Sequence, residues 1–108
     1  GSKVSIELYA GAVPVIRGAL ENAEMGFVPA GAYKNRSYAG NRVWIDPVIS
    51  EAMIDVLYDP QTSGGLLISL EPDKALILES LYGEKLQTAF ARVGVVKERE
   101  EMAIVVRP

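Results

Sequence analysis

The sequence predicts an α+β domain of two layers, with helices on one face of a mixed sheet. Short apolar runs of strand length alternate with stretches of helical periodicity. Proline and glycine punctuate many of the boundaries. The last two apolar runs are joined by a short charged stretch, which reads as an antiparallel hairpin. The expected order is strand, helix, loop, helix, strand, helix, strand, strand.

Lys3 to Tyr9 alternates apolar and polar residues, the pattern of a half-buried strand. Pro14 then sits where helices accept a first-turn proline. Val15, Ile16, Ala19, Leu20 and Ala23 fall on one face, and Gly26 suits a C-terminal cap, so a helix is expected over about 14–25. Residues 27–42 hold Pro29, Gly31 and Gly40 and read as a long irregular loop. Asp46-Pro47 signals a second helix, with Ile49, Ala52, Met53 and Val56 on its inner face. It should end near Tyr58, because Pro60 cannot continue it. Leu66 to Leu70 is a short apolar run between Gly65 and Pro72, and its length favours a buried strand. Pro72-Asp73 opens a third helix carrying Ala75, Leu78, Leu81 and Tyr82, with Gly83 at its close. Phe90–Val96 and Met102–Val106 complete the expected hairpin.

The length of 108 residues fits one domain, and 49% apolar residues can furnish a core. A domain of this size buries roughly two-thirds of the surface its unfolded chain exposes. There is no cysteine and no histidine, which removes thiol nucleophiles, imidazole bases and the usual zinc ligands. Any metal would need oxygen donors, the preference of hard cations such as magnesium. The net charge is −3, with 14 acidic and 11 basic side chains interspersed. No basic block marks a nucleic-acid footprint, and no apolar run reaches transmembrane length, so neither nucleic acid nor membrane is an expected partner. A cytoplasmic location is the expectation that fits. Gly1-Ser2 is read as a vector remnant, leaving residues 3–108 as the domain.

The segment most able to carry chemistry is Asp59-Pro60-Gln61-Thr62-Ser63-Gly64-Gly65-Leu66-Leu67. Asp59 and Pro60 start a turn, and Thr62 and Ser63 can bond nearby backbone groups. Gly64 and Gly65 permit positive φ and close approach of another group. By composition the segment is either a well-made connection or a loop facing an anion or nucleotide. It is not a Walker A loop, because no Gly-Lys-Ser/Thr ending is present. Asn35 and Arg36 offer amide and guanidinium groups to a polar ligand, or sit on a solvated loop. Trp44, between Val43 and Ile45, reads as a packing or interdomain contact, and Glu98, Glu100 and Glu101 as a solvated turn.

The nine-residue segment resembles the hallmark of selenophosphate synthetase (selenide, water dikinase). Val28 to Arg36 is similar to that family's Pro-Gly-Gly-Thr-x-x-Asn segment, and Val93 to Val96 to its Ile-Gly-x-Val strand. The first match is the specific one. Ala30 and Ala32 depart from the pattern, replacing a glycine and a threonine. The resemblance implies the C-terminal domain of an aminoimidazole-ribonucleotide synthetase-like ATP enzyme, without that domain's first segment. It implies a parent that uses ATP and magnesium to make selenophosphate from selenide, releasing AMP and phosphate. The family's reactive Cys or selenocysteine, its essential Lys and its metal-binding aspartates would lie upstream, so no catalytic or metal residue is expected here. By the same resemblance, Asp59, Gln61, Thr62, Ser63, Gly64 and Gly65, with Asn35 and Arg36, would form a substrate- or nucleotide-facing wall. The implied partner is an N-terminal ATP-binding domain of the same chain, within a homodimeric parent. The excised domain is expected to be inactive, to retain neither ATP nor magnesium, and to self-associate through exposed apolar surface. A sibling ATP enzyme of the superfamily and a non-catalytic binding or oligomerisation domain are the alternatives.

Overall fold

The computed structural model describes residues 2–86 and 89–108, so Gly1 of the expected vector remnant lies outside the described residues. The architecture is α+β, with a mixed sheet, as the alternation of patterns predicts. Its elements are β1 (Val4–Tyr9), α1 (Ala19–Glu24), α2 (Ala30–Ala39), β2 (Val43–Ile45), α3 (Glu51–Leu57), α4 (Pro72–Lys85), β3 (Gly94–Glu98) and β4 (Ile104–Arg107). The described strands form one sheet in the order β2-β4-β1-β3. β1 runs antiparallel to β3 and parallel to β4, and β4 runs parallel to β2.

The expected terminal hairpin does not form. β1 lies between β3 and β4, so the connection 99–103 crosses over the start of β1. Ser5 fixes that crossing. Only 1% exposed, its hydroxyl donates to the Met102 carbonyl at 2.7 Å and accepts from the Glu100 N–H at 2.8 Å. A charged stretch between two apolar runs looks the same in sequence whether the runs pair or straddle a third strand. β3 can approach β1 closely because Gly94 has no side chain; a Cβ there would collide with the Glu7 carbonyl.

The register assigns the sheet's faces. Ile6, Leu8, Val43, Ile45, Val96, Ile104 and Val106 share one face, and Val106 is buried. The other face carries a polar ladder. Lys97 pairs with Glu7, Arg107 approaches Glu7 at 3.5 Å, and the Arg107 guanidinium lies 5.6 Å from the Trp44 ring centroid. Trp44 therefore forms a half-exposed cross-strand contact. Hydrogen bonding to Lys97 holds the Glu7 carboxyl below its ordinary range, and Glu7 in turn raises Lys97.

Two helices, α1 and α3, begin later than expected, whereas α4 starts at Pro72 as expected. Gly18 adopts φ 85° immediately before α1, so Pro14 lies in an extended lead-in and not in the first turn. α1 ends as anticipated: Gly26, at φ 86°, donates to the Ala23 carbonyl while Phe27 donates to Asn22, a Schellman closure. α3 starts at Glu51 because Asp46 spends its side chain on a turn, accepting from the Val48 N–H at 3.0 Å. Ser50 then takes the cap, accepting from the Met53 N–H at 3.2 Å. α3 stops at Leu57, beside the expected Tyr58.

Residues 27–42 are not a loop. They contain α2, followed by a short 3-10 turn at Gly40–Arg42, and β2 follows at Val43. Pro29 stands before the first helical residue, where its missing N–H costs nothing. Ala32 is buried, yet most of the helix faces outward, so no apolar stripe announces it. Arg42 closes it, donating to the Tyr38 carbonyl at 2.6 Å and the Ala39 carbonyl at 3.2 Å. α1 and α2 both pack on α3, whose Ala52 and Ile54 are buried.

Two further expectations are corrected. Gly83 lies within the last turn of α4, which continues to Lys85. Leu66–Leu70 is neither a strand nor buried: Leu66 is 89% exposed and Leu67 83%. In this conformation no neighbouring strand supplies the hydrogen bonds a strand requires.

Candidate functional site

The candidate site grows from the C-terminal end of α3. Glu51, Asp55 and Tyr58 recur along that helix at spacings that place them on one stripe. The helix α2 answers this stripe with two adjacent residues. Asn35 donates from its amide to the Tyr58 carbonyl at 2.9 Å. That carbonyl belongs to the end of α3, where backbone acceptors lack intrahelical donors, so Asn35 satisfies a helix terminus. Arg36 reaches the other end of α3 and donates to the Glu51 carboxylate at 2.8 Å.

These contacts set the electrostatics. The charge-assisted hydrogen bond from Arg36 holds the Glu51 carboxyl below its ordinary value, and Glu51 raises Arg36. Burial pushes the Tyr58 phenol up, against a smaller opposing pull from Arg36.

The loop after α3 leaves as a compact turn. The Asp59 N–H donates to the Val56 carbonyl at 3.2 Å, and the Gln61 N–H to the Asp59 carbonyl at 2.9 Å. Pro60 packs on Gly31 of α2 so closely that a Cβ there would sit 2.7 Å from Pro60 Cγ. Gly31 is therefore required by proximity and not by an unusual φ. Gln61 folds over Gly64, where an added Cβ would lie 2.5 Å from Gln61 Oε1. Thr62 and Ser63 form an exposed turn.

Beside this loop lies a cleft of about 360 Å³, bounded by residues 13–29 and the C-terminal part of α3. Ile16, Phe27, Val28 and Leu57 contribute apolar wall, while Asn22, Asp55, Asp59 and Gln61 contribute polar groups. The structure thus gathers Asn35, Asp59 and Gln61 around the end of α3. It turns Arg36 toward Glu51, and it carries Thr62, Ser63, Gly64 and Gly65 past the cleft into solvent. Asn22 and Asp55 are site residues that the sequence reading did not single out. Asp55 falls four residues after Glu51, and Asn22 four before Gly26, so helical spacing was the signal available.

Chemically, two carboxylates beside two carboxamides favour a ligand that presents hydrogen-bond donors to the cleft. They disfavour a bare phosphate there. Donors for an anion are supplied by the Thr62–Gly65 turn, with its hydroxyls and backbone N–H groups. Among the described residues, no three acidic side chains converge as a metal site would require. No helix of the described residues is long and apolar enough to cross a membrane.

No protein-family model matches the chain. Comparison with curated proteins nevertheless finds close relatives. A selenide, water dikinase of Caldanaerobacter subterraneus is 44% identical over 106 residues, covering 98% of this chain and 30% of the relative. One from Clostridioides difficile is 53% identical over 74 residues, covering 68% of this chain and 21% of the relative. One from Nitratidesulfovibrio vulgaris is 36% identical over 96 residues, covering 89% of this chain and 27% of the relative. The chain thus spans less than a third of the length of each of these relatives.

Proposed function

This chain belongs to the selenide, water dikinase family, and from that premise we propose that it forms the C-terminal part of an enzyme that makes selenophosphate. The reaction consumes ATP, selenide and water and releases AMP and phosphate. The observation that carries this reading is the 44% identity across 98% of the chain, joined to the presence of the nine-residue Asp59–Leu67 segment on an exposed loop.

In this reading the chain supplies one wall of the site. Phosphoryl transfer depends mainly on positioning and on stabilising charge. The Thr62–Gly65 turn suits that task, because its donors are exposed and its base is fixed by Pro60 on Gly31 and by Asn35 on Tyr58. Arg36 acts through α3, as a residue that positions the loop and not as a phosphate ligand. The donor set does not fit a self-contained magnesium site, so the metal's ligands are assigned to other parts of the parent protein. The same holds for the nucleophile, since the chain has no cysteine. The adjoining partner is then the ATP-binding domain of the same polypeptide, and the parent is a homodimer acting in the cytoplasm.

The test is a chimera in which residues 3–108 replace the matching part of the Caldanaerobacter relative. Selenide-dependent AMP formation by the chimera is expected. A folded, dimeric chimera that forms no AMP while the unmodified relative does would overturn the assignment. The 108-residue chain alone is expected to form no AMP.

A further inference from the structure

The cleft beside the Asp59–Gln61 turn carries charge that its own walls do not balance. Asp55 and Asp59 both line it, and none of the described residues that line it is basic. Among the described residues, no salt bridge engages either carboxylate. Arg36 lies within Coulombic reach of Asp55 but is committed to Glu51, at 2.8 Å. Asn22 reaches the cleft from α1, and Gln61 from the turn after α3, so two amide oxygens add to the acceptors. Two unpaired carboxylates and two carboxamides thus converge from three separate parts of the chain.

The remaining wall is apolar. Ile16 and Phe27 are 85% and 71% exposed, so both are open to a ligand, and Val28 and Leu57 lie with them. A volume of about 360 Å³ is on the scale of small-molecule sites. These features narrow the occupant. An anion would meet two like charges. A neutral molecule would leave both carboxylates unmatched. A bare divalent ion would gain nothing from the apolar wall, and no three acidic side chains among the described residues converge to hold one. An organic cation matches both halves of the lining. A planar amidinium or guanidinium suits it better than an ammonium, because its fork of N–H donors fits carboxylates and it is less strongly hydrated. Phe27 also offers such a cation an aromatic face.

We propose that this cleft binds a small organic cation, an amidinium or guanidinium group carried on an apolar body. The charged fork donates to the carboxylates of Asp55 and Asp59, and the amide oxygens of Asn22 and Gln61 accept its remaining N–H groups. The apolar body lies against Ile16, Phe27 and Val28. This site is distinct in chemistry from the Thr62–Gly65 turn, whose exposed donors suit an anion. The two adjoin, because Asp59 and Gln61 lead into that turn. The proposal does not rest on the family assignment.

Benzamidine, an amidinium on an aromatic ring, is the probe. In a nitrogen-15 NMR titration of the chain at neutral pH, the amides of Asn22, Asp55, Asp59 and Gln61 are expected to shift and saturate, with a dissociation constant of about 1 mM or tighter. Benzamide, which has nearly the same shape without the charge, should bind at least tenfold more weakly. Asp59→Asn and Asp55→Asn should each weaken benzamidine several-fold while leaving the rest of the spectrum in place, which shows that the variants are folded. Glu98→Gln, outside the cleft, should leave the affinity unchanged. Shifts that do not saturate would overturn the proposal, as would equal binding of benzamide or unaltered affinity in both Asp→Asn variants. Shifts as large around Glu98–Glu101 would show unselective attraction to acidic surface and would also overturn it. A capped Ala-Arg-Ala peptide that binds at least tenfold tighter than benzamidine would give the cleft to a protein segment instead of a small molecule. None of these readouts involves catalysis, so failure here leaves the functional assignment untouched.

Discussion

Single side chains carry much of the order around the candidate site, and two of them can be tested directly. Gly31→Ala removes a helix-weakening glycine, a change that alone favours a helix by up to about 1 kcal/mol. Here the new methyl meets Pro60, so the variant is expected to lose about 1 kcal/mol or more, in line with overpacked sites. In a Pro60→Ala background the same change should cost less, because the 2.7 Å approach to Cγ is gone and only the 3.1 Å approach to the residue-60 Cβ remains. Urea unfolding of the four chains in that cycle reads the coupling, and additive effects would mean that the contact does not hold the loop. Glu51 gives a pH signature. Its carboxyl is lowered in the folded state by Arg36, so the pair's stabilisation is present above the unfolded value of about 4.3. It is lost as pH falls through the folded value. Thermal melts from neutral pH downward should show a smaller acid loss for Glu51→Gln than for the unmodified chain. Identical profiles would show that the pair contributes nothing.

At the scale of elements, the decisive feature is the crossing of β1 by the β3–β4 connection. Ser5 satisfies a carbonyl and an N–H of that connection from a buried position. Ser5→Ala leaves both without their partner, and the expected cost is about 1–3 kcal/mol. Faster amide exchange confined to residues 99–103 and the adjoining strand ends would mark the local effect. An unchanged unfolding midpoint would show that water replaces the hydroxyl without loss. Element boundaries were legible where a local device sets them. The Gly26 closure of α1 and the stop after α3 follow from residues at the boundary itself. The helix at Ala30–Ala39 was not legible, because one buried alanine gives no stripe and its proline and glycines resemble loop punctuation. The short strand Val43–Ile45 is three residues long, too brief to show alternation.

For the whole molecule, exposed apolar surface is the dominant fact. The chain should associate as its concentration rises, through α4 and the segment before it. Sedimentation equilibrium checks this, and a monomer at high concentration would remove that surface as a contact. Of the residues that the sequence singles out, Asn35 lies against the base of the Asp59–Leu67 loop, whereas Arg36 turns to Glu51 and Thr62–Gly65 pass into solvent, because side-chain chemistry is visible in a sequence and its spatial partners are not. By itself the sequence determined the α+β class, the strand at Val4–Tyr9 and the likeness to selenide, water dikinases. These depend on local pattern and residue identity, which a linear chain displays. Only the tertiary structure decided that β1 separates the last two strands, that Asn35 and Arg36 grip opposite ends of α3, and that Asp55 joins Asp59 at one cleft. Strand order and helix-to-helix contact arise between residues distant in sequence, and no local pattern records which distant partner a segment meets.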